Sequence, residues 1–155
     1  MNSRIRYGKA FPAGVHALLE LGKAINESGL EHSLLELVKT RASQLNGCAY
    51  CIDMHTKDAR AAGETEQRLY ALSAWEETPF FTSRERAALA WTEAITNIQD
   101  GHAADPVYEA ALKEFGEADL AKLTFAIGQI NFWNRIAIAF RAEAGTYQPQ
   151  TKSRS

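Results

Sequence analysis

A chain of 155 residues, 46% hydrophobic and 23% charged, fits one globular domain that can bury a core without metal or disulfide staples. Its formal charge of −2, from 17 basic and 19 acidic side chains, leaves no positive excess for phosphates and excludes nucleic acid as an expected partner. Two cysteines are too few for a secreted disulfide scaffold, and no stretch approaches the roughly 20 apolar residues of a membrane span.

Behind Arg4, Arg6 and Lys9, the apolar region that a secretory signal needs is broken by His16, Glu20 and Lys23. The chain is therefore expected in a reducing cytoplasm, away from membranes, with its cysteines resting as thiols. The first helix is predicted from Ala13 to Ser28, with Val15, Leu18, Leu19 and Ile25 on one face and Gly29 as its stop. A second covers Glu31 to Leu45, with Leu34, Leu37, Val38 and Leu45 inward, until Asn46–Gly47 breaks it. The third begins near Cys48 and closes at Gly63, and the fourth runs from Thr65 to Glu76 with Leu69, Tyr70, Leu72 and Trp75. Thr82 and Glu85 have capping-box spacing and open a helix from Ser83 to Ile98.

Asp105–Pro106 starts the next helix, which stops at Gly116. The last, Glu117 to Ala144, spreads Phe132, Trp133, Ile136 and Phe140 around its circumference. Such a helix is expected to be central to the fold or shared between subunits. No alternating strand pattern is present. The expected fold is all-α, a single-domain bundle of about six to seven helices. It should span residues 1–145, with a flexible polar tail over 146–155.

The segment from Asn46 to His55 carries the chemistry. At about 100° per residue, positions 48, 51 and 55 share a narrow arc, which gathers two sulfurs and an imidazole on one face. Cβ atoms three residues apart on a helix lie about 5–6 Å from one another, whereas a disulfide needs about 3.5–4.5 Å. A Cys48–Cys51 bridge is therefore strained within a helix and feasible in a first turn, where Asn46–Gly47 places it. A helix N-terminus favours thiolate over thiol, and His55 can take a proton from Cys51.

On the residues alone other readings stay open. One alternative makes the cysteines small core residues, since free cysteine is often buried. A zinc site would need a fourth ligand, and His16, His32 and His102 lie far off in sequence. A thioredoxin-like CxxC would need a preceding strand, and none is predicted. Glu36 reads by itself as a solvent-facing glutamate, although Leu34, Leu35, Leu37 and Val38 surround it.

Glu36, Cys48, Cys51 and His55 have the spacing E-x11-C-x2-C-x3-H, with Arg41-Ala42-Ser43-Gln44-Leu45-Asn46-Gly47 leading in and Gly63 closing the motif helix. Over Leu34 to Trp75 this pattern resembles the alkylhydroperoxidase D-like proteins of the carboxymuconolactone decarboxylase superfamily. The resemblance implies an all-helical subunit in a homo-oligomer, a trimer or hexamer. It also implies reduction of small hydroperoxides through a disulfide cycle, driven by a dithiol reductant such as a lipoyl-type carrier, without cofactor or metal. Cys51 would be the attacking sulfur and Cys48 the resolving one, with His55 and Glu36 as a proton relay. Better-studied peroxidases of the family carry a histidine between the cysteines, where this chain has Tyr50, so one proton carrier is lost. The superfamily's lactone decarboxylases lack the cysteine pair, which disfavours decarboxylation. The alternatives are a non-catalytic redox sensor on the same fold, or a decarboxylase-like enzyme acting on a small organic acid.

Overall fold

Five consecutive residues, Leu34 to Val38, are buried in the computed structural model, which describes residues 3–149. An amphipathic helix buries one stripe, so a run of this kind marks a helix enclosed on every side. That helix is α3 (His32–Asn46), and it is surrounded by α4 (Ala49–Ala61), α6 (Ser83–Thr96), α7 (Asp105–Phe140) and a 3-10 helix (Leu72–Glu77). The short α1 (Tyr7–Ala10), α2 (Pro12–Asn26) and α5 (Glu66–Ala71) complete the chain order. Among the described residues there is no strand, and the all-α bundle stands as expected.

Some local signals act where they are predicted, whereas α7 opens one residue before the expected cap, with Ala104 as N-cap, Asp105 inside the helix and no side-chain cap hydrogen bond. The Thr82 hydroxyl accepts from Glu85 N at 3.2 Å while the Glu85 carboxylate accepts from Thr82 N at 2.8 Å, a complete capping box. Gly116 adopts φ 69°, a conformation open to glycine, and breaks α7 into two arms at the position expected to end one helix. The predicted fourth helix divides instead into α5 and the 3-10 helix, with Ala74 out of helical geometry at φ −122°.

Centrality falls differently from the sequence reading. The last helix is expected either at the centre or shared between subunits; within this chain α7 is not enclosed, and it leaves Phe125 and Phe132 exposed at 63% and 51%. The enclosed element is α3, whose Leu34 to Val38 are all buried, whereas one side of α7 stays open. On α2, Leu19 is exposed and Ile25 alone is buried, since that helix lies mainly on α1 and α7.

After α7 the chain reverses at Arg141, with φ 56°, and Ala142 N donates to Ala137 O at 2.9 Å. The returning segment does not hang free. Gly145 N donates to Asp53 Oδ2 at 3.0 Å and Lys57 Nζ to Tyr147 O at 3.0 Å. The tail expected from Thr146 is thus docked as far as Tyr147, through hydrogen bonds that apolar periodicity does not register. The rest of that tail, 150–155, lies outside the described residues. No described helix is long and apolar enough to cross a membrane.

Candidate active site

Gly47 ends α3 in the left-handed conformation, φ 68°, while Cys48 N donates back to Ser43 O at 2.9 Å. This turn throws Cys48 into extended backbone as the N-cap of α4, where its sulfur accepts from Cys51 N at 3.3 Å. Cys48 stands outside the helix proper in extended backbone, so its side chain leaves the chain in a direction that a helical position would not give it. Their Cα atoms are 5.3 Å apart and the sulfurs are joined as a disulfide. The first-turn expectation is met, and each cysteine is only 1% exposed.

One turn on, His55 Nδ1 lies 2.8 Å from Glu36 Oε2, which bridges α4 to α3. The other oxygen of Glu36 accepts from Lys39 Nζ at 2.9 Å. Read alone, Glu36 belonged at the surface; in the fold it is 3% exposed. Burial pushes its carboxyl upward, but the hydrogen bond with His55 and the Lys39 ammonium outweigh that and hold it at about 2. It is a fixed anion at neutral pH. An ionised acceptor at Nδ1 puts the ring proton of neutral His55 there and leaves Nε2 free to accept another.

A cavity of about 310 Å³ opens onto Cys51 and His55, walled by Tyr7, Leu19, Tyr50, Met54, Ile130 and Trp133, with Lys39 at its edge. Cys48 does not line it, so the two sulfurs are inequivalent toward anything bound there. Tyr50, between the two cysteines in sequence, forms part of this wall.

Several polar residues were not singled out by sequence. Asn46 Nδ2 lies 2.9 Å from Asn131 Oδ1 and 2.8 Å from Asn134 Oδ1, and Asn134 Nδ2 donates to Ser43 Oγ at 3.0 Å. This network clamps the end of α3 to α7 just before Gly47. Its one sequence signal is the interruption of an apolar helix by two asparagines three apart. Asp58 and Tyr147 were also missed. One oxygen each of Glu36 and Asp58 and one ring nitrogen of His55 lie within 4.8 Å of one another. A cation drawn to that trio would compete with Lys39 and with the His55–Glu36 hydrogen bond.

The sequence model of the carboxymuconolactone decarboxylase family matches residues 12–94. An uncharacterized Bacillus subtilis protein, YdfG, is 42% identical over 94% of this chain and 99% of its own length. A crystal structure from Agrobacterium tumefaciens, of a protein of unknown function provisionally named antioxidant defence protein AhpD, superposes with TM-score 0.90 at 42% identity. The match covers 94% of this chain and 100% of that one. The debrominase Bmp8 shares the fold at TM-score 0.79 and 21% identity, over 90% of this chain and 74% of its own. With helix order, motif spacing and these likenesses in agreement, the chain belongs to the carboxymuconolactone decarboxylase family and has an AhpD-like helical fold.

Proposed function

We propose that the protein is a thiol-dependent peroxidase that reduces small organic hydroperoxides and is recycled by a dithiol. The observation that carries this reading is that Cys51 meets a largely apolar cavity on one side and Cys48 on the other, with His55 beside it. In the reduced enzyme His55 Nε2 takes the Cys51 proton. The thiolate attacks the peroxide O–O bond, which breaks to give a Cys51 sulfenic acid and an alcohol, the alcohol oxygen receiving a proton. Cys48 then attacks the sulfenic sulfur, water leaves, and the disulfide forms. An external dithiol reduces that bond and becomes a disulfide itself, so electrons and protons balance. A lipoyl-type carrier suits this last step, and a reducing cytoplasm would keep it supplied.

Glu36 orients the imidazole rather than carrying the proton, because a carboxyl held at about 2 is a poor acceptor near neutrality. The apolar wall of the cavity favours a peroxide with a hydrocarbon body. The exposed Phe125 and Phe132 support assembly with further copies of this chain, expected to scatter light as a particle larger than 17.2 kDa.

The decisive experiment is steady-state reduction of cumene hydroperoxide with dihydrolipoamide, comparing the wild type with Cys51→Ser. Turnover should vanish in the variant while its helical circular dichroism is retained. A wild type that forms and releases the disulfide without peroxide turnover would remove the enzyme reading. It would favour a redox switch, for which the disulfide, with each cysteine only 1% exposed, is the supporting feature.

A further inference from the structure

Asp58 and Tyr147 lie outside the cysteine motif, yet the fold delivers both to it. The route is the segment that returns from α7. Ala142 packs against the cluster of Cys48 and Cys51, Gly145 and Tyr147 are hydrogen-bonded to Asp53 and Lys57, and Tyr147 Oη donates to Asp58 Oδ1 at 2.7 Å. The segment therefore runs along α4 from the disulfide to the turn beyond His55.

The charges there need restraint. Glu36 is already an anion bound by His55 and Lys39, and Asp58 sets a second carboxylate within 4.8 Å of the pair. A carboxylate free to swing at that range would repel Glu36 and compete for the imidazole. The Tyr147 hydroxyl removes that freedom. Burial, with the hydrogen bond to Asp58, pushes its phenol up to about 12, so it remains a donor throughout the working pH range.

We propose that Tyr147 is a positioning residue for the thiol chemistry: by holding Asp58 it fixes the His55–Glu36 pair in register with Cys51. The inference rests on the peroxidase reading for its turnover arm, while thiol reactivity tests it separately. The titratable groups around this site are Glu36, Lys39 and His32 on α3, Tyr50, Asp53, His55, Lys57 and Asp58 on α4, Tyr7 on α1, and Tyr147 itself. From α7, only uncharged side chains line the cavity, Gln129, Ile130, Trp133 and Ala137.

The test is Tyr147→Phe, which keeps the ring and deletes the donor, beside Tyr70→Phe, a control at a phenol that is 77% exposed and bonded to Glu66. Both full-length chains are reduced with dithiothreitol, and alkylation of Cys51 by iodoacetamide is followed by peptide mass spectrometry across the titration of the thiol. Near neutral pH, Tyr147→Phe should react about three- to tenfold more slowly, the scale of one hydrogen bond. The gap should close at alkaline pH, where the thiolate forms without help. The control should match wild type. In peroxide assays kcat should fall by a similar factor with KM unchanged. Equal alkylation at every pH would overturn the proposal. So would a uniform loss at every pH, which marks looser packing rather than lost positioning. If wild type shows no peroxide turnover, the peroxidase reading fails, and the alkylation profile still decides the role of Tyr147.

Discussion

Toward α6 and α7, helix α3 packs Leu34, Leu35 and Val38 among Trp91, Phe115, Leu123 and Ile127. Toward α4 it buries Glu36, whose carboxylate meets His55 and Lys39. Both regions exclude water to a similar degree, but they are held by different physics. In the first, stability is spread over many dispersion contacts of about 0.1–0.2 kcal/mol each, and any neighbour of similar shape can replace another. In the second, every group has a named partner, and removing one leaves another buried and unpaired. The apolar region should therefore govern whether the chain folds, and the polar region how its sulfurs react.

The largest effect expected from this division is on stability. Leu35 is fully buried, and Leu35→Ala should cost about 2–5 kcal/mol in urea unfolding. In the fraction that remains folded, Cys51 alkylation should follow the wild-type pH curve. A shifted curve would show that the two regions are coupled and break the comparison.

Next comes the response to acid. Glu36 is depressed from 4.5 to about 2, so its contribution is fully present above the unfolded value and is lost as pH falls through the folded one. The loss should reach about 3 kcal/mol, spread across that window. Urea midpoints measured through it should fall more steeply for wild type than for Glu36→Gln. Parallel curves would mean that the carboxylate is not held as the geometry indicates.

The smallest effect is on the barrier. Glu36→Gln keeps the shape and removes the charge, and should slow peroxide turnover at least tenfold, about 1.4 kcal/mol. His55→Gln should cost a similar amount, with the double variant less than multiplicatively worse because the two act as a unit. Unchanged turnover in Glu36→Gln would reduce its ion pair to a structural one and sharpen the line between holding the fold and doing chemistry.

Much of this architecture was legible beforehand where the determinants are local. Thr82 and Glu85 cap α6 because the reciprocal hydrogen bonds need only their own spacing. Gly47 and Gly116 break helices because each takes a positive φ that other residues resist. Cys48 and Cys51 pair because a helix start relaxes the distance that a helix interior would impose. The site was readable to the same extent: the register of Cys51 and His55 follows from helical periodicity alone.

Glu36, Leu19 and Tyr147 show where that reading ends. Glu36 sits among four apolar neighbours, so a helical wheel gives it no outer face, and its burial depends on α4 arriving with His55. Leu19 matches the apolar stripe of α2, but it borders the open cavity beside Cys51 and is left exposed. Tyr147 lies in a polar segment whose docking uses hydrogen bonds to Asp58 and Lys57, 89 and 90 residues away along the chain.

The sequence by itself determined most of the helices, the cap at Thr82, the breaks at Gly47 and Gly116, the cysteine pair and the histidine in register with it, because those depend on interactions within a turn or two of one helix. Only the tertiary structure decided that α3 rather than α7 is enclosed, that Glu36 is a buried anion, and that a segment past α7 reaches the redox helix. Those outcomes depend on which surfaces meet, and burial and charge pairing are properties of the meeting rather than of either partner alone.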